Sequence, residues 1–413
     1  MATVNRIVAN LSLKDYSVFL ITLMVFVTAG TPGFNLFYYS LGAVVMLRFL
    51  ELALFRKAII QRNLASFCLP IVAFMVYSFF SLTWAIDFSR GLARFFHIIV
   101  SGIFFLVMVH SLSRSSSLKA LRLGVIFGSM FAFGTSIVEY SRNPFQYRLA
   151  GAAGNANVLA LLLMIAFLIL INPLMKPTLL TWIYGVVILT YATVFTGSRK
   201  TLIIWPLILI YIGLRNAEKR SLRSRVNTII MVLAIFIALL LFGEPVLNHV
   251  TEITSVNRLI DAFGGEEASA KIRSIMIREG IELWKTRPLI GFGPDQFSYH
   301  SMFGTYSHNN YVELLSTSGI IGTILYYSLY LLLFMRAIKI SDREQKYYTI
   351  ISLVFLLFLD FFLISYYVKY LWLFLSTLVT SLSFSSIEYN VSVSLHQDDA
   401  SHFKSLDSGK RRT

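Results

Sequence analysis

Runs of roughly twenty apolar residues recur along almost the whole chain, and a bilayer core of about 30 Å is the surrounding that such runs fit. They occupy 15–30, 34–55, 65–84, 95–112, 119–139, 156–173, 178–196, 200–214, 227–246, 310–335, 347–366 and 369–386. Water cannot surround a fold built from them: of 413 residues, 56% are hydrophobic and 14% charged, against about 25% charge in ordinary globular chains. Mean hydropathy is +0.70. The expected class is all-α, a polytopic helical membrane protein of about twelve transmembrane helices with one large, partly helical loop outside the cytoplasm. No small-residue cleavage site follows a compact apolar core in the first run, so it is read as a retained helix and not as a signal peptide.

The 36 Lys+Arg against 21 Asp+Glu leave a net charge of +15. In a soluble domain that excess would point to nucleic acid; between apolar helices it marks cytoplasmic connections, and no nucleic-acid partner is expected. Arg56, Lys57 and Arg62, the cluster Arg215 to Arg225, and Arg336 to Lys346 fall on alternate connections, which puts both termini in the cytoplasm. The chain then divides into 1–246, a first bundle of about nine helices; 247–309, a large loop on the outer side; 310–386, three further helices; and 387–413, a polar cytoplasmic tail without fixed structure. Inside the loop, Ala270 to Arg287 reads as a helix on the membrane surface, ended by Pro288, Gly291 and Gly293. One cysteine, Cys68, excludes an internal disulfide and any multi-cysteine metal site.

Polar residues that could carry chemistry are few, and each has a plain structural reading beside the functional one. Thr196-Gly197-Ser198-Arg199-Lys200 is either a hairpin turn whose cations reach lipid phosphates or a polar site, since short outer loops tend to lack Lys and Arg. Arg278 and Glu282 are four apart and can pair on a solvated helix face. Arg273 has no acidic residue three or four positions away, which leaves its planar fork available for a phosphate. Ser307-His308-Asn309-Asn310-Tyr311 stands where the loop re-enters the membrane, and His308 is either an interfacial residue or a general base suited to neutral pH. The glycines of Ser318-Gly319-Ile320-Ile321-Gly322 admit close helix approach. Asp360, inside an apolar run, is a buried functional group or pairs within the bundle. Gly151 to Asn157 either brings backbone to a polar ligand or is a flexible helix start. There is no phosphate-binding Walker loop and no His-Glu-x-x-His, so ATP hydrolysis and metal chemistry are not expected, nor is a cofactor.

Taken together, three motifs resemble the O-antigen ligase and polymerase superfamily, integral membrane glycosyltransferases of the bacterial envelope. The first is His308-Asn309 followed by nine residues and then Gly319-Ile320-Ile321-Gly322. The second is Arg273 fifteen residues before Pro288-Leu289-Ile290-Gly291-Phe292-Gly293, and the third is Ser198-Arg199 at the start of a helix. The resemblance implies transfer of a glycan from undecaprenyl pyrophosphate to a sugar hydroxyl at the periplasmic face of the inner membrane. The acceptor would be a second lipid-linked repeat unit for a polymerase or lipid A-core for a ligase, with a chain-length regulator as a further candidate partner. It implies a metal-independent, inverting displacement in which Arg199 and Arg273, with Arg278 in reserve, hold the pyrophosphate. His308 would take the acceptor proton, supported by Asn309 and Ser198. The alternative from a different class is a flippase for lipid-linked oligosaccharide or polysaccharide. That needs charge through the membrane interior, where the sequence offers little beyond Arg48, Glu51 and Asp360. Convergence of His308, Arg199 and Arg273 on one outward-facing pocket would favour transfer.

Overall fold

The computed structural model describes residues 12–28, 35–54, 62–112, 115–143, 148–198, 200–215 and 268–384, and every regular element within them is helical. In chain order these are α1 (Leu13–Val27), α2 (Asn35–Leu54), α3 (Arg62–Ser81), α4 (Phe88–Ser111), α5 (Ser115–Arg142), α6 (Ala156–Leu170) and α7 (Leu179–Thr196). Then come α8 (Lys200–Arg215), α9 (Ala268–Thr286), α10 (Gln296–His300), α11 (Asn310–Lys339), α12 (Arg343–Leu359) and α13 (369–384). Each apolar run read from the sequence falls on one of these helices except 227–246, which lies outside the described residues together with the tail 387–413. Among the described residues five helical stretches are long and apolar enough to cross a bilayer: Leu64–Trp84, Phe88–Ser111, Ser116–Arg142, Leu179–Thr196 and Asn310–Lys339. The hydropathy runs outnumber them partly because α1 and α6 have only 15 residues each, which is about 22 Å of helix.

Why α6 is short follows from where it sits. Its sequence is apolar all round, and from Leu159 to Leu170 every residue is buried, so it is enclosed by other helices and presents no face to lipid. The helix α13 is buried in the same way from 370 to 383. Its hydroxyls need partners there, and Thr380, Ser381 and Ser383 donate to carbonyls four residues back. The Asn172 amide donates to Ser381 Oγ at 2.8 Å and ties the end of α6 to α13. The surrounding helices are the reverse: Leu47 and Leu69 on α2 and α3, Leu179 on α7 and Ile324 on α11 point outward, Leu179 being 77% exposed. Large apolar side chains outside and satisfied polar groups inside are what a bilayer demands. Helix α1 runs along α5, α6 lies between α5 and α7, α3 packs on α11, and α8 packs on α12.

The described part of the loop is fastened to this bundle. Helix α9 starts at Ala268 and stops at Thr286, close to the boundaries read from the sequence. Met276 and Gly280 face inward, and a Cβ at Gly280 would run into Val312 of α11, while Lys271, Arg278 and Lys285 stand exposed. After it, Gln296 is fully buried and exchanges two hydrogen bonds with the backbone of Asp87, at 2.8 and 2.9 Å. Asp295 beside it is paired with Arg94 of α4 at 2.9 Å. Segment 268–309 is therefore positioned by α3, α4 and α11.

Candidate active site

The two glycine motifs meet. Helix α11 is interrupted at Gly319, whose φ of 63° and ψ of −169° break the helical hydrogen-bond series. The turn Pro288–Gly293 supplies the missing partners. Phe292 and Gly293 N–H donate to the carbonyls of Ser316 (3.0 Å) and Thr317 (2.8 Å), and Ile320 and Ile321 N–H donate to those of Pro288 (2.9 Å) and Leu289 (3.2 Å). Contact this close excludes side chains: a Cβ at Gly291 would lie 2.5 Å from the Thr317 carbonyl, and one at Gly319 would overlap the Leu289 carbonyl. Tyr77 of α3 closes the joint, its hydroxyl lying 3.0 Å from Ile290 O and 2.9 Å from Ser318 O. The glycines thus have the close-approach role read from the sequence, here between a loop turn and a helix.

Four residues before α11 the chain forms a tight hydrogen-bonded hook. Glu313, 1% exposed, accepts the Ser307 N–H at 2.8 Å; Ser307 Oγ donates to Asn309 O (2.9 Å) and accepts from Asn309 N–H (3.3 Å). His308, between them, takes a left-handed φ of 57°, a conformation that side chains other than glycine seldom adopt without support. Asn309 is the N-cap of α11, with Oδ1 accepting Val312 N–H at 3.1 Å, so its side chain is spent on the helix start. Asn310 is bonded to Asp360 through backbone (2.7 Å) and side chain (3.3 Å), and Tyr327 donates to Asp360 Oδ2 at 2.7 Å. Pairing within the bundle is thus what Asp360 does.

A cavity of about 430 Å³ opens beside this hook and brings together parts of the chain far apart in sequence. Its walls include His308 and Tyr306 from the hook, Arg273 from α9, Lys200 at the start of α8, Asn155 and Asn157 at the start of α6, His97 from α4, and Tyr367 and Lys369 at the start of α13. Apolar walls come from Leu161, Phe362, Leu363 and Ile364. Three lysine or arginine side chains line it and no carboxylate does. The His308 ring is half-buried against Tyr306, with centroids 4.3 Å apart. Burial, then the positive charges of Arg273 and Lys200, push the His308 pKa down to about 4. The imidazole is therefore neutral at physiological pH and able to accept a proton.

Of the residues singled out from the sequence, His308 and Arg273 share this cavity, and Arg199 lies outside the described residues. Arg278 is exposed on the far face of α9 and does not line it. Ser198 is buried, its carbonyl accepting from Thr201 N–H at 3.1 Å at the start of α8, and its Oγ has no hydrogen-bond partner among the described residues. Asn155 and Asn157 give the Gly151 to Asn157 segment a place at the cavity; Asn157 Oδ1 accepts from Arg148, which also donates to Thr196 O. Sequence reading passed over Lys200, Lys369 and His97. Lys200 and Lys369 carry the signal that drew notice to Arg199, a cation at the outer end of an apolar run. Among the described residues no three of His, Cys, Asp and Glu come together in a way that could hold a metal ion.

Residues 184–327 match the family model described as O-antigen ligase, a stretch that contains Lys200, Arg273, the 288–293 turn, His308 and Gly319. No curated protein matches the chain.

Proposed function

We propose that this chain, joined by residues 184–327 to the O-antigen ligase and polymerase superfamily, transfers a glycan from an undecaprenyl-pyrophosphate donor to a sugar hydroxyl at the periplasmic face of the bacterial inner membrane. The reading includes about twelve transmembrane helices and cytoplasmic termini. The observation that carries it is a neutral histidine and an arginine, His308 and Arg273, joined by Lys200 on one cavity with no carboxylate in its walls. The acceptor oxygen attacks the anomeric carbon, its proton passes to an imidazole nitrogen of His308, and the bond to the pyrophosphate breaks with its electron pair leaving on phosphate. Arg273 and Lys200, with Arg199, meet that departing charge as preorganised donors. Single displacement inverts the anomeric centre and requires no metal. The walls from Leu161, Leu363 and Ile364 keep water from the activated donor. The family match speaks for transfer and lends nothing to passage of a lipid-linked glycan across the bilayer.

The test is envelope polysaccharide from a deletion strain complemented with wild type, His308→Ala or Arg273→Ala, with lipopolysaccharide separated from carrier-linked glycan. His308→Ala is expected to insert and to leave transfer undetectable; full transfer by that variant removes His308 from the reaction. Single repeat units on the cores in the deletion strain identify a polymerase, with a chain-length regulator as its natural partner. Bare cores with long carrier-linked glycan identify a ligase.

A further inference from the structure

The donor reading uses one cationic end of the cavity and leaves the other without a task. Arg273 and Lys200 are the charges that act on His308, whereas Arg94, Lys369 and Asp295 act on His97, and neither set contains a member of the other. The two ends are also built from different elements. Lys200, Arg273 and His308 come from α8, α9 and the hook, while His97, Thr28 and Lys369 come from α4, the end of α1 and the start of α13. At this second end Arg94 is already matched, bonded to Asp295 at 2.9 Å and stacked 4.0 Å over the Tyr367 ring. Lys369 is the cation that this end presents to the cavity. Its Nζ lies 3.5 Å from Thr28 Oγ1, and Val25, Leu363 and Val368 are its apolar surroundings. Neutral sugar gives no reason to keep an ammonium in such a place, because removing it from water is costly; an anion that docks there repays that cost.

We propose that the end of the cavity formed by Lys369, Thr28 and His97 is a second phosphate subsite, which holds the phosphate of a lipid-anchored acceptor while Arg273 and Lys200 hold the pyrophosphate of the donor. The inference rests on the transfer reading above and names what the acceptor must carry. Anchoring both substrates by phosphates at separate ends of one cavity fixes the distance between them, so the attacking hydroxyl is delivered to the anomeric carbon and not left to diffuse. Two kinds of acceptor have this chemistry: a glycan on a carrier-lipid pyrophosphate, and a phosphorylated lipid A-core.

The experiment is a titration of the full chain in nanodiscs with undecaprenyl phosphate, with undecaprenol as the phosphate-free control. Wild type is expected to show two phosphate-dependent sites. Lys369→Gln should weaken one at least tenfold and leave the other within twofold, and Arg273→Gln should do the converse. One site in wild type, or equal weakening of both by Lys369→Gln, overturns the proposal. Lys369→Arg keeps the charge and should keep the site; loss of it equally in Arg and Gln variants assigns the effect to packing and also overturns it. In membranes, Lys369→Gln should raise the acceptor KM tenfold or more with the donor KM unchanged. If the affected acceptor is the carrier-linked glycan, the phosphate comes from the carrier. If it is phosphorylated lipid A-core and its dephosphorylated form is indifferent to the substitution, the phosphate comes from the core. Indifference of both acceptors to the substitution overturns the subsite. Two binding sites in a protein that transfers nothing would leave the subsite standing and remove the transfer reading.

Discussion

The cavity has two walls made in different ways. On one side, the turn 288–293, the hook 306–309 and the interrupted helix α11 are joined by backbone hydrogen bonds and by glycines that no other residue can replace without overlap. On the other, α1, α4, α6 and α13 are packed through ordinary apolar side chains, with His97 and Lys369 set among them. A backbone joint fixes position to a few tenths of an ångström and fails as a unit, whereas a side-chain wall yields gradually. The base is held by the first kind of wall, and the remoter cation by the second.

The largest expected effect is at the hook. General acid–base groups contribute about 10²- to 10⁴-fold, and His308→Ala should lose that much transfer if the imidazole takes the proton. Its pH dependence sharpens the point. In the free protein the His308 pKa is about 4, so the ring is neutral and competent at every pH well above that value. As pH falls through 4 the ring gains a proton and can no longer accept one, so kcat/KM should be flat from about 5 to 8 and fall only below. A bound pyrophosphate offsets the charges of Arg273 and Lys200 and raises the His308 pKa, so the acid limb of kcat should lie at higher pH than that of kcat/KM. An acid limb near 6.5 in both profiles would mean that neither burial nor those cations act on the base.

Next in size is the glycine joint, where two positions with the same backbone conformation make the comparison internal. Gly319 and Gly304 have φ of 63° and 61°, but a Cβ at Gly319 meets the Leu289 carbonyl and one at Gly304 meets nothing within 4 Å. Gly304→Ala carries only the left-handed penalty, about 1 kcal/mol, and should leave transfer nearly intact. Gly319→Ala adds displacement of the 288–293 turn and should abolish transfer and lower the melting temperature by several degrees more. Equal behaviour of the two variants would show that the joint is not what holds the hook.

These contrasts also explain how far the sequence could be read. The helices were legible because each lipid-facing run must be apolar, and the joint was legible because Gly291, Gly319 and Gly322 stand at positions where only glycine fits. His308 and Arg273 could be named because they sit beside that joint. The fastening of the loop by Gln296 on Asp87 was not legible, since a buried glutamine bonded to backbone leaves no periodicity or spacing behind. His97 and Lys369 reach the cavity only because α4 and α13 happen to be neighbours, and that long-range fact has no local trace. Asn309 shows the opposite error: adjacency to His308 suggested a role at the imidazole, and its side chain caps a helix.

A smaller effect is expected where the hook is held at one remove. Glu313→Ala leaves the buried Ser307 N–H without its acceptor, which costs about 1–3 kcal/mol and lets His308 leave its left-handed conformation. Glu313→Gln retains a carbonyl oxygen at the same place and should recover most of the loss. If Glu313 acts through His308, Glu313→Ala should lower kcat in the wild-type background and do nothing further in the His308→Ala background. A second, independent loss there would assign Glu313 a task of its own.

The smallest effect belongs to the side-chain wall. Ile364 is 4% exposed, lines the cavity and belongs to the apolar core around α13. Ile364→Val removes one methylene, for which a buried site gives up about 0.5–1.5 kcal/mol, and neighbouring side chains can close part of the space. Transfer should stay within about twofold of wild type, since no backbone bond depends on that side chain and a loss of 1.4 kcal/mol in the transition state would be needed for a tenfold change. A tenfold loss of kcat with unchanged melting temperature would mean that the apolar wall sets the position of the substrate as tightly as the glycine joint sets the base. The distinction between the two walls would then have to be drawn by what they touch and not by how they are built.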